Sequence, residues 1–138
     1  MKMPDASALR LLVWRAGPVR CGALLDRLRE VIPAHPVVRI PGAPPAVRGI
    51  ANVRGELVTV VDCRMLLGLG EVQPGRAVIL ADVRGRTVGL EVDDVEDLAA
   101  IPDVALRPAG TDWEARIDDG DAVRLLDLEG LLDPLFPE

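Results

Sequence analysis

Two stretches of this chain, 65 residues apart, carry one pattern. Val60-Val61-Asp62-Cys63-Arg64-Met65-Leu66-Leu67 and Leu125-Leu126-Asp127-Leu128-Glu129-Gly130-Leu131-Leu132 both read apolar, apolar, Asp, apolar, two variable positions, Leu, Leu. A second echo lies at an offset of 67, where residues 22–31, opening on Gly22, align with residues 89–98, opening on Gly89. The two offsets agree within the slack of loop lengths. The chain therefore reads as a duplication, with one β subdomain near 9–69 and another near 76–133. A body of about 60 residues buries only about 60% of its surface and is marginal alone. The halves are expected to pack together and fold as one unit.

The punctuation fits many short strands. Glycine and proline number 13 and 12 and are spread along the whole chain. Hydrophobic residues make up 49%, but aromatics only 2%, namely Trp14, Trp113 and Phe136, so the core must be aliphatic. Strands are expected at 9–15, 19–23 and 37–40, and a hairpin over 47–53 and 57–61 turns at Arg54-Gly55-Glu56. Leu24, Leu25, Leu28 and Val31 have helical spacing, although a strand running through a bulge gives the same spacing. Asp62 is positioned to cap a helical turn over 64–67, with Gly68 as its stop. The order then restarts after a connector at 70–75, with strands at 78–83 and 87–92 around Arg84-Gly85. A hairpin over 113–117 and 122–126 follows, and Asp127 caps 128–132.

Catalytic sets are hard to assemble. There is one histidine, His35, one serine, Ser7, and no tyrosine. A Cys–His pair would need Cys21 or Cys63 beside His35, but both cysteines fall on apolar strand positions. Two buried, reduced thiols in a cytoplasmic protein are expected instead. The acidic run Glu91, Asp93, Asp94, Glu96, Asp97 is broken by Val92, Val95 and Leu98 and lacks the glycine of a calcium loop, so it reads as a solvated face. No phosphate-binding glycine motif, secretory signal or membrane-length apolar run is present.

The net charge of −6 hides an asymmetry. Residues 1–70 carry ten basic and five acidic side chains, and residues 71–138 carry six basic and seventeen acidic, so the molecule is expected to be electrically polar. An acidic chain this poor in aromatics is a poor nucleic-acid binder. These absences point to a binding module.

The stretch 47–69 resembles the CheW family of chemotaxis coupling proteins. Arg48-Gly49-Ile50-Ala51-Asn52-Val53-Arg54-Gly55 and Val60-Val61-Asp62-Cys63-Arg64 follow the family's motif. The likeness continues at Gly22, at Leu28-Arg29-Glu30-Val31, at Val88-Gly89-Leu90-Glu91-Val92-Asp93-Asp94-Val95 and at 125–132. The resemblance implies an all-β fold of two small SH3-like β-barrel subdomains packed together, with short helical turns. It also implies a non-catalytic adaptor without cofactor or metal, in the cytoplasm at membrane-associated receptor arrays. Its partners would be the cytoplasmic tip of a chemoreceptor and the regulatory domain of a CheA-type histidine kinase, with no nucleic acid and no membrane insertion. Carried over to the receptor groove are Leu28, Glu30 and Arg54. Gly49, Asn52, Gly55, Asp62 and Asp127 take structural and turn roles.

Physically, Arg54 can grip a carboxylate bidentately or simply brace the groove wall. Leu28 can meet a partner helix or fill the core, and Glu30 can pair with a partner's cation or stay solvated. The chain departs from the family pattern at Thr59, Cys63 and Arg116 and in its short connector. Those departures leave room for a different client, such as a response regulator or a non-flagellar signalling complex.

Overall fold

The computed structural model describes residues 9–70, 75–101, 106–109, 112–116 and 122–136. The expected turn at 118–121 lies outside them. Among the described residues there are eleven strands: β1 (Leu9–Ala16), β2 (Val19–Leu24), β3 (Leu28–Pro33), β4 (Val47–Val53), β5 (Glu56–Asp62), β6 (Ala77–Val83), β7 (Arg86–Val92), β8 (Asp94–Ile101), β9 (Leu106–Ala109), β10 (Asp112–Arg116) and β11 (Ala122–Leu125). Two short helices, α1 (Cys63–Leu66) and α2 (Leu128–Leu132), follow β5 and β11.

The strands form a six-stranded sheet, ordered β8-β1-β2-β11-β10-β9, and a five-stranded sheet, ordered β3-β6-β7-β5-β4. Neither sheet comes from one half of the chain. The six-stranded sheet takes β1 and β2 from the first half, and the five-stranded sheet takes β6 and β7 from the second. With β9 set aside, one order becomes the other when each strand is replaced by its counterpart in the opposite half. Hairpin neighbours are antiparallel, β1 with β8 and β3 with β6 pair antiparallel across the halves, and the central seam of each sheet is parallel and also crosses between halves. β5 runs beside β7 with Val60 opposite Gly89, and β11 runs beside β2 with Leu125 opposite Gly22. These are the residues that carry the two sequence echoes. Each glycine is there for space: a Cβ on Gly22 would stand 2.9 Å from Val123 Cγ1, and one on Gly89 2.8 Å from Val78 Cγ1.

Strand alternation then builds three cores. Leu11 and Val13 turn into a small cluster with Ala115 and Val123, while Leu12, Trp14 and Ala16 turn the other way. Val78 and Leu80 join Ile32, Ala51, Val53, Val58 and Val60 within the five-stranded sheet. Ile79, Ala81, Val83, Val88 and Leu90 meet Trp14, Cys21 and Ala23 between the sheets. The central strands are thus apolar on both faces, and the shared core is what makes one body of two sheets.

Residues 24–31 are not helical. A single 3-10 turn over Leu25–Arg27 leads into β3, which pairs with β6 through a bulge between Leu28 and Glu30. Of the strand expected at 37–40, only one bridge forms, between Val38 and Ile50. Prolines 33, 36 and 41 surround it and donate no ladder bonds.

Candidate functional site

Arg54 and Gly55 make the two-residue turn between β4 and β5, with φ of 51° and 86°. Positive φ at both central positions is the type I′ turn that suits a twisted hairpin. Asn52 Oδ1 accepts the Gly55 N–H at 2.8 Å and braces the turn. Arg84-Gly85 repeats it between β6 and β7, with φ of 51° and 80°. An arginine at positive φ is uncommon and costs strain.

Arg54 donates a hydrogen bond to Glu30 on β3, and both side chains are largely solvent-exposed. Since β3 and β4 are the two edges of the five-stranded sheet, this pair spans its open seam. The Val38–Ile50 bridge closes the same seam further along, with bonds of 2.8 and 2.9 Å. Gly49 permits that closure, because a Cβ there would lie 2.2 Å from the Val38 carbonyl oxygen. The structure therefore brings Glu30 and Arg54 into contact. Leu28 is half-buried and packs on the core between the sheets.

Beside Leu28 opens a cleft of about 290 Å³, lined by Leu24 and Arg27, by Asp82 of β6, by Trp113 and Leu125 of the six-stranded sheet, and by Glu129 of α2. Leu28 follows the Leu25–Arg27 turn and pairs with Ala81, the neighbour of Asp82, so it stands at the cleft's edge. Trp113 is 49% exposed, a large apolar surface for a chain so poor in aromatics. Sequence reasoning passed over Trp113 as a contact residue; its rarity was the available signal. The cleft is small for a ligand pocket but suits a few apolar side chains of a partner helix. Its rim is charged: Arg27 reaches Glu129 at 3.7 Å, and Arg84 reaches Asp133 at 3.5 Å. Such exposed pairs contribute at most about 1 kcal/mol each.

A tighter network lies at the other end of the shared core. Arg64 of α1 grips Asp93, with Nη2 at 2.6 Å from Oδ2 and Nε at 3.0 Å from Oδ1. Asp93 also accepts the Gly17 N–H at 2.8 Å. The Arg64 hydrogen bonds hold the Asp93 carboxyl below the usual carboxylate range, opposed by partial burial and aided by Gly17. Glu96 meets Arg20 Nη2 at 2.8 Å, with Arg15 Nε also 2.8 Å from its second oxygen, an ionic contact without hydrogen-bond alignment. Glu91 is 4% exposed, accepts the Gly75 N–H at 2.9 Å and lies 3.4 Å from Arg48.

Within the acidic run, Glu91, Asp93 and Glu96 are thus not a solvated face, while Asp94 is exposed. Glu91, Asp93 and Glu96 are spent on Arg48, Arg64, Arg15 and Arg20, all from the first half. The charge asymmetry between the halves works here as glue across them, because the exchanged strands interleave the two signs. Bulges aim several of these groups: Arg48 and Glu96 each sit where a strand carries one residue more than its neighbour.

Asp62 Oδ1 accepts the Met65 N–H at 3.1 Å, and Asp127 Oδ1 accepts the Gly130 N–H at 3.2 Å, so both aspartates cap their helices. His35 bonds the Pro33 carbonyl in the connector after β3, while Cys21 and Cys63 are fully buried between the sheets. Among the described residues no group of acidic, His and Cys side chains could hold a metal ion, and no helix is long and apolar enough to cross a membrane.

Residues 10–135 match the family model described as a CheW-like domain. The chain is 30% identical to the chemotaxis protein CheW of Rhizobium meliloti strain 1021, over 92% of this chain and 86% of that protein. It is 32% identical to the protein FrzA of Myxococcus xanthus, over 74% of this chain and 66% of that one. The fold superposes on the crystal structure of the scaffolding protein TtCheW from Thermoanaerobacter tengcongensis with a TM-score of 0.83 at 22% identity, covering 91% of this chain and 93% of the other.

Proposed function

This chain belongs to the family of CheW-like domains, and we propose that it is a non-catalytic adaptor that couples chemoreceptor signalling tips to a CheA-type histidine kinase in a chemosensory array. The observation that carries the receptor half of this reading is the cleft between the sheets with its exposed Trp113 and its charged rim. A receptor tip is a helical hairpin. Its apolar side chains can enter beside Trp113 and Leu125, while its polar flank meets Arg27, Glu129 and, past Leu28, the Glu30–Arg54 pair.

Arg54 is held at positive φ although asparagine or glycine would fit the turn better, and strain kept at an exposed position favours a recognition role for its side chain. In the test, the purified protein is mixed with a receptor signalling fragment and, separately, with the regulatory domain of the kinase. Binding to both is expected. Binding to neither by folded protein would overturn the coupling role. Arg54→Glu should weaken receptor binding about tenfold or more and leave kinase binding intact. Arg54→Asn, which relaxes the turn, should weaken the receptor complex while leaving the unfolding temperature equal or higher. If both variants bind receptor normally, Arg54 only braces the seam.

A further inference from the structure

Cys21 and Cys63 lie 42 residues apart in sequence, one on β2 and the other at the start of α1, and both are buried in the shared core. Cys21 stands on β2 directly opposite Trp14 of β1, and Cys63 opens α1 at the end of β5. Both are fully buried, and the two thiols are hydrogen-bonded to each other without being joined by a disulfide. The Trp14 indole N–H is buried without a hydrogen-bond partner and lies beside the Cys63 sulfur. Neither thiol takes any part in the adaptor reading above.

We propose that Cys21 and Cys63 are an oxidisable dithiol, which a hydroperoxide converts to an intramolecular disulfide that staples β2 to the start of α1. Cys63 is the nucleophile. The hydrogen bond from Cys21 is the largest influence on it and lowers its pKa; burial pushes the other way, and the Trp14 indole adds to the lowering. The Cys63 thiolate attacks one peroxide oxygen, the O–O bond breaks, and hydroxide leaves, giving a sulfenic acid. The Cys21 sulfur then displaces that oxygen: its proton and the S–OH group leave as water, and the S–S bond forms. The two electrons given up by the thiols reduce one hydrogen peroxide to two water equivalents.

Access requires α1 to open, and α1 is held by the Arg64–Asp93 grip together with the Asp93 bond to the Gly17 turn. That grip acts as a latch over the dithiol. Weakening it raises the population of the open form and with it the rate of oxidation.

The whole reduced chain is treated with hydrogen peroxide near neutral pH and followed by intact mass and non-reducing peptide mapping. The expected product is 2 Da lighter, remains a single chain on a non-reducing gel, and yields one cross-linked peptide containing Cys21 and Cys63. Arg64→Gln and Asp93→Asn, each confirmed as folded, should speed its formation roughly fivefold or more, and Cys63→Ser should abolish it. Gain of oxygen atoms on either cysteine without the lighter product, linkage between chains, or reaction only after denaturation would overturn the dithiol. An unchanged rate in both folded latch variants would overturn the latch.

Discussion

Asp62 and Asp127 do the same job at equivalent corners: each stands between a strand and the helix that follows, caps that helix, and lies beside a parallel seam between the halves. The corners differ in the residue two positions on, where Arg64 answers Glu129. Asp62 is 2% exposed and Arg64 is locked to Asp93, whereas Asp127 is exposed and Glu129 sits on a solvated rim with Arg27 and Arg84. The bulges at the sheet edges show the same reversal. Arg29 on β3 and Glu96 on β8 occupy matching bulged positions, at the offset of 67 seen in the sequence. One backbone plan thus serves two purposes. At one corner it makes a fixed internal joint; at the other it leaves a charged, solvated edge beside the cleft.

Substitutions can test how far the likeness extends. The seams should behave alike, because a Cβ added to either glycine would meet a valine methyl at under 3 Å. Gly22→Ala and Gly89→Ala should each cost about 1–3 kcal/mol in denaturant unfolding; a tolerated change at one seam alone would break the equivalence of the sheets. The corners should behave unequally. Asp62→Ala should cost about 1–2 kcal/mol and Asp127→Ala about 0.5, since a buried cap leaves an unsatisfied N–H and an exposed one leaves it to water.

The latch adds a pH signature at one corner only. Asp93 is held below its ordinary pKa when folded, so its stabilisation is fully present above the unfolded value of about 3.9 and is lost as pH falls through the lower native value. Asp93→Asn should therefore cost about 1 kcal/mol or more near neutral pH, and the gap from the parent should close in strong acid. At the other corner Glu129→Gln should change stability by less than about 0.5 kcal/mol, because its pairs are exposed and screened. A larger loss there would mean that the rim is a joint as well.

Much of this was legible in the chain. The Asp caps, the Arg-Gly turns and the restart of element order are local: a side-chain oxygen reaching an N–H three residues on, or a glycine at positive φ, depends on neighbours in sequence. The ambiguity over residues 24–31, which the structure resolves as a strand with a bulge, is also local in origin. A bulge at Arg29 inserts one residue into a period of two, and the spacing of Leu24, Leu25, Leu28 and Val31 then imitates a helix. Of the candidate contact residues, Glu30 and Arg54 could be named but not paired, and Trp113 was visible only as a rare residue type.

The sequence by itself determined an aliphatic all-β body of two like halves, with capped corners, tight turns and opposite charge on each half. Periodicity, turn chemistry and composition act over a few residues and need no fold to operate. Only the tertiary structure decided that the halves exchange strands across two parallel seams. That exchange placed Arg64 on Asp93, Arg48 on Glu91 and Cys21 against Cys63, and opened the cleft beside Trp113. Those contacts join residues dozens of positions apart. They follow from burying both faces of the central strands at once, a requirement that no local pattern expresses.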